Sequence, residues 1–186
     1  MRIVTVLIFF LISFAQNLSA QCIASAGVDA SICVGNSVVL GSATVASGGT
    51  APYTYQWAPS TGLSCTTCPN PTASPSITTT YTLTITDDNA CTATDAVLVN
   101  VNTIPTASFT AAPAGSCANL PIYFTNTSSG INNTYSWSFG NPASGLANNS
   151  TQTNPSHEFI SVGTTSASFT VSLTATSAQG CVSLPF

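Results

Sequence analysis

Tyr81-Thr82-Leu83-Thr84-Ile85-Thr86 alternates apolar and hydroxyl side chains one for one. A period of two sets Tyr81, Leu83 and Ile85 on one face and the threonines on the other, the mark of a half-buried antiparallel strand whose outer face meets water. A polar turn closed by a cysteine follows, Asp87-Asp88-Asn89-Ala90-Cys91. The same phrase returns later as Phe169-Thr170-Val171-Ser172-Leu173-Thr174 and Ser177-Ala178-Gln179-Gly180-Cys181. Upstream of each lies a second alternating run around tryptophan, Tyr53-Thr54-Tyr55-Gln56-Trp57 and Tyr135-Ser136-Trp137-Ser138-Phe139. Cys33, Trp57 and Cys91 therefore recur in order as Cys117, Trp137 and Cys181, a repeat of about eighty residues. Val38–Leu40, Val97–Val101 and Ile122–Phe124 supply further strands, and Gly, Pro, Asn and Ser clusters separate them. Many short strands with frequent turns predict an all-β chain of two tandem β-sandwiches. The expected units are residues 21–103 and 104–186, with the boundary near Asn102-Thr103-Ile104-Pro105.

The chain has 186 residues, of which 3% are charged, against about 25% in ordinary soluble proteins. Roughly three residues in ten are Ser or Thr. Arg2 is the only cation apart from His157, so no phosphate backbone or anionic lipid surface can be neutralised. Nucleic-acid binding is excluded on that ground. Arg2, the apolar run Ile3–Phe14 and the small-residue end Ala15–Ala20 have the layout of a secretory signal peptide over residues 1–20. Cleavage is expected after Ala20, or else after Ala15. The run is shorter than the ~20 residues of a membrane-spanning helix, so no stable insertion is expected. The mature chain then has no Lys or Arg and the five acids Asp29, Asp87, Asp88, Asp95 and Glu158. Salt bridges can contribute almost nothing to such a chain. Stability must come from apolar burial, backbone ladders and cross-links.

In an exported chain the seven cysteines read first as a disulfide framework. The repeat suggests Cys33–Cys91 and Cys117–Cys181 as paired staples, with both partners required at one end of a sandwich. Cys65 and Cys68 form Cys-Thr-Thr-Cys, which can be a local disulfide pinning a loop, half of a zinc site, or a redox pair. Cys22 is left over. Asp87 and Asp88 sit in a hairpin turn, where Asp and Asn bond their own backbone; the alternative is a weak Ca²⁺ site joined by Asp29 or Asp95. No other cofactor is expected. A serine hydrolase needs a base and an orienting acid, and the sole histidine, His157, is expected in a surface or capping role. A glycosidase needs two carboxylates, and Glu158 stands by itself in the second unit. No catalytic residues are therefore assigned. Tyr53, Tyr55 and Trp57 share a strand face and are expected in the core.

The second unit resembles a PKD domain, an immunoglobulin-like sandwich of about eighty residues, through Tyr135-Ser136-Trp137-Ser138-Phe139-Gly140, Asn154-Pro155-Ser156-His157-Glu158-Phe159 and Phe169–Thr174. The family's Trp-Asp-Phe-Gly-Asp-Gly is altered here: Ser138 replaces the first Asp, and Asn141-Pro142 replaces the Asp-Gly. The first unit is similar to related repeats of large exported Bacteroidetes surface proteins, through Ala26-Gly27-Val28-Asp29, Gly48–Trp57, Gly62–Pro71 and Thr80–Asp87. The resemblance implies a non-catalytic extracellular spacer, adhesion or protein-interaction module, secreted or held at the bacterial cell surface. Its implied partners are other surface proteins or extracellular polysaccharide. The alternative is a carbohydrate-binding accessory region of a secreted hydrolase. About ten residues of strand follow Cys91, whereas few follow Cys181. The last strand is accordingly expected to be short or missing, leaving an open sheet edge in what would be part of a longer protein.

Overall fold

A computed structural model describes residues 21–114, 120–160 and 166–186. The expected signal peptide and Cys117 lie outside the described residues. In chain order the strands are β1 (Ile23–Ala24), β2 (Ala30–Cys33), β3 (Val38–Val39), β4 (Ala46–Ser47), β5 (Thr54–Ala58), β6 (Thr72–Ala73) and β7 (Thr79–Thr86). They continue with β8 (Thr92–Asn102), β9 (Phe109–Ala112), β10 (Pro121–Asn126), β11 (Thr134–Ser138), β12 (Asn149–Ser150), β13 (Ser156–Glu158) and β14 (Ser172–Thr176). The sole helical segment among the described residues is a pair of 3-10 turns over Pro142–Asn148, broken at Gly145.

The alternating run behaves as its pattern predicts. In β7, Tyr81, Leu83 and Ile85 are fully buried, while Thr80 and Thr82 face water. β7 lies between β5 and β8 in a four-stranded sheet ordered β2-β8-β7-β5, and β2 runs parallel to β8. Trp57, Val97 and Val99 add to the same inner face. Cys22, Ala26, Leu40, Val45 and Ala73 cover it from the segments that carry β1, β3, β4 and β6. Apolar faces from two layers thus close on one core, which defines a β-sandwich.

A second core lies between the sheets β13-β10-β9 and β12-β11-β14. Phe124 faces Trp137, Leu173 and Ala175 there, and Phe109 and Phe139 complete an aromatic cluster around the indole, with centroids 5.0 and 6.4 Å from it. Trp57 and Trp137 are each 1% exposed, so each core is organised around its own tryptophan. Both indoles find a backbone acceptor, Nε1 of Trp57 donating to Cys68 and Nε1 of Trp137 to Gln152. A buried N–H without one would cost about 1–3 kcal/mol.

The final strand is short, as expected, but the sheet edge beside it is not open. After Cys181 the chain turns back along β14. Val182 bridges Thr176, Ser183 N–H donates to Ala175, and Phe186 exchanges both backbone bonds with Leu173. This short irregular return covers the β14 edge that was expected to stay open.

Candidate functional site

The disulfides do not follow the repeat. Cys22 joins Cys91, with Cα atoms 6.2 Å apart, and Cys33 joins Cys181, with Cα atoms 5.7 Å apart. The expected pairs Cys33–Cys91 and Cys117–Cys181 are corrected accordingly. The reason is strand direction. Cys33 lies opposite Asn102 at the far end of β8, because β2 runs parallel to it. Cys91 precedes Thr92 at the near end. About ten residues of strand at 3.3 Å each hold them roughly 33 Å apart, well beyond disulfide reach. Cys22, expected to be spare, sits beside the near end, and its N–H lies 3.4 Å from Cys91 Sγ. Cys65 and Cys68 form the local disulfide, the first of the three readings of that motif. The loop they close folds over Trp57: Thr66 accepts its backbone N–H, and Cys68 accepts its indole N–H.

Cys91 and Cys181 nevertheless occupy equivalent turns. Asp87 N–H donates to the Cys91 carbonyl and Ser177 N–H to that of Cys181. Cys91 N–H donates to Asp87 Oδ1 and Cys181 N–H to Ser177 Oγ. The residue before each cysteine has positive φ, 61° at Ala90 and 81° at Gly180. One turn is thus built twice, with a carboxylate in the first copy and a hydroxyl in the second.

Asp87 is buried, and its carboxylate also accepts the N–H groups of Thr50 and Asn89, at 2.8 and 2.9 Å. The Thr50 bond, with those to Cys91 and Asn89, holds its pKa below the usual aspartate value against the opposing cost of burial. Gly49 makes room for this contact; a Cβ there would stand 2.5 Å from Asp87 Oδ2. Asp95 accepts Ala26 N–H at 2.8 Å and Asp29 accepts Leu98 N–H at 2.9 Å, a reciprocal tie between the β1–β2 segment and β8. The three carboxylates serve separate backbone donors, and Asp88 is exposed. Among the described residues no three His, Cys, Asp or Glu side chains come together as a metal site. Asp87 therefore fits the turn role better than the Ca²⁺ role.

His157 is the main surprise. It was expected at the surface, yet it is 5% exposed. Ser156 and Glu158 of β13 point out, so the period of two turns His157 inward, opposite Ile122 of β10. Its ring stacks on Phe139 at 4.3 Å and 7°, and meets the edge of Phe159 at 4.6 Å. Burial lowers its pKa, outweighing the hydrogen bond with the Ala147 backbone and the charge of Glu158. Its Nε2 is buried without a hydrogen-bond partner, as is Nδ2 of Asn141. His157 and Phe139 line a cleft of about 460 Å³. Asn149, Ser150, Gln152 and Glu158 supply its polar wall, and Pro121 and Ile160 its apolar one. Sequence reasoning missed this cleft. The inward phase of His157 was readable from its place between Ser156 and Glu158, but the loop that roofs it, Pro142–Asn148, has no period to read.

Ser144, His157 and Glu158 all line the cleft, but they are not disposed as a nucleophile, base and acid. Glu158 is exposed and Ser144 Oγ is committed to the Asn141 carbonyl. No helix among the described residues is long and apolar enough to cross a membrane.

No protein-family model and no curated protein matches the chain. Solved structures similar to it include an I-band fragment from titin, at 14% identity and TM-score 0.47 over 86% of this chain and 62% of that one. Protocadherin Gamma B7 extracellular cadherin domains 1-4 are similar at 13% identity and TM-score 0.39, over 90% of this chain and 49% of that one. DIP-gamma IG1+IG2 is similar at 12% identity and TM-score 0.39, over 91% of this chain and 96% of that one. The chain thus spans under two thirds of the titin and protocadherin fragments. These TM-scores lie below 0.5, so the sandwich assignment rests on the strand pairing and the two cores.

Proposed function

We propose that the chain is a non-catalytic, exported module of two immunoglobulin-like sandwiches of PKD type, residues 21–103 and 104–186 after a cleaved leader. It acts as a structural and protein-interaction unit at the cell surface, within a larger protein. The observation that carries this reading is the Cys33–Cys181 bond. It ties the sheet of one core to the terminal turn of the other, and structural disulfides of this kind belong chiefly to oxidising compartments. Two bodies held together in this way keep a fixed span and present their end loops as contact surfaces. Ile131 and Leu146, 84% and 98% exposed, are apolar loop residues available to a protein partner. No cofactor has a part in this role.

Antibody labelling of intact cells that express the full-length gene tests the reading. Labelling without permeabilisation, with Cys33 and Cys181 blocked to alkylation until reductant is added, is the expected result. Labelling only after permeabilisation, or free thiols at Cys33 and Cys181, would refute it. A second reading, an accessory region that holds polysaccharide for a secreted hydrolase, is favoured by the polar, cation-free cleft that His157 lines.

A further inference from the structure

We infer that the cleft of the second core binds a short neutral glycan, with the buried, partnerless His157 Nε2 as its polar anchor and Gln152 as a second contact. This inference deepens the polysaccharide reading by naming its site. The stacked pair of Phe139 and His157 is part of the cleft lining. Pro121 and Ile160 offer apolar contacts to the C–H faces of a sugar, and Asn149, Ser150 and Gln152 offer both donors and acceptors. Hydroxyls match such a set because each of them donates and accepts. Anionic ligands do not fit: the chain has no Lys or Arg beyond Arg2, and the one charge at the cleft is Glu158. A volume of about 460 Å³ falls within the usual range for small-ligand sites, ~300–1,000 Å³.

The buried nitrogen sets the chemistry further. His157 Nε2 is buried with no hydrogen-bond partner, a polar atom left for a ligand to satisfy. A sugar hydroxyl both donates and accepts, so it satisfies that nitrogen in either tautomer. Nε2 is covered in the free protein, so the ring must tilt in its stack as the ligand seats. His157 is the chain's sole histidine, and its imidazole is therefore a unique spectroscopic reporter of that event.

The test is an imidazole ¹⁵N NMR titration of the purified, oxidised mature chain. Cellobiose, maltotriose, xylobiose and diacetylchitobiose are the probes; sodium sulfate and the tripeptide Gly-Ser-Gly are the controls. Expected is a saturable shift of His157 Nε2 with at least one saccharide, at millimolar affinity, and none with the controls. Gln152→Ala should weaken that binding about fivefold, the effect of one lost hydrogen bond, while the Gln152 backbone carbonyl still accepts the Trp137 indole. His157→Gln should abolish binding by calorimetry; if it does not fold, Gln152→Ala decides. No shift with any of the four saccharides, an equal shift with a control, or full affinity in Gln152→Ala would overturn the inference. Because the readout uses isolated protein, its failure leaves the surface-module reading standing, and failed cell-surface labelling leaves the cleft to be judged by its own titration.

Discussion

Removing the inter-core staple by Cys33→Ser together with Cys181→Ser is the most informative perturbation. The bond closes a sequence separation of 148 residues. Cys22–Cys91 already shortens that path, since Cys33 lies close to Cys22 and the chain from Cys91 to Cys181 completes the circuit; the effective loop is ~100 residues. Chain entropy puts an upper figure of about 4.7 kcal/mol on such a loop, and measured values are typically 2–4. The loss should fall on the second core, because Cys22–Cys91 still staples the first. For a unit of this size, 2–4 kcal/mol corresponds to a drop in midpoint of roughly 10–25 °C. Each core has its own tryptophan, so Trp57→Phe and Trp137→Phe backgrounds report the cores separately by fluorescence during thermal unfolding. The expected outcome is a lowered second-core transition beside a first-core transition moved by far less. An unchanged second core, or a first core that falls instead, would refute the reasoning.

Other outcomes follow from the paired turns and the buried titratable groups. Ala90 adopts the φ that Gly180 adopts in the equivalent turn, so Ala90→Gly should raise stability by up to about 1 kcal/mol in denaturant titrations. Asp87 has a lowered folded pKa, so its contribution is complete above the ordinary value of 3.8 and is lost as pH falls through the folded value. Asp87→Asn should destabilise the first core near neutrality and flatten that acid limb in stability measured against pH. His157 also has a lowered folded pKa, so its neutral form favours folding above 6.5, and that stability is lost progressively as pH drops below it. Imidazole NMR should show it titrating below 6.5, with the second core losing stability over the same interval.

Much of the architecture was legible because side-chain period in strands depends on local sequence alone. Tyr81, Leu83 and Ile85 had to share a face, and burying that face required a second layer. Trp57 and Trp137 were readable as core centres for the same reason. The second alternating run was less faithful: Phe169–Thr174 was expected as the strand, whereas β14 is Ser172–Thr176. Cysteine pairing was not legible, since it depends on which end of β8 each sulfur reaches. The parallel pairing of β2 with β8 decides that, and nothing in Ala30–Cys33 announces its direction. The cleft was hidden for a similar reason. Its wall comes from β12, β13 and the irregular Pro142–Asn148 segment, which only tertiary folding brings around His157.

The pairing of the cysteines is the most direct measure of the whole account. Residues 21–186 contain no Lys or Arg, so trypsin has no site among them; pepsin digestion of non-reduced protein followed by mass spectrometry serves instead. The account predicts peptides linking Cys22 to Cys91 and Cys33 to Cys181. A peptide linking Cys33 to Cys91 would contradict the parallel β2–β8 pairing and, with it, the joining of the two cores.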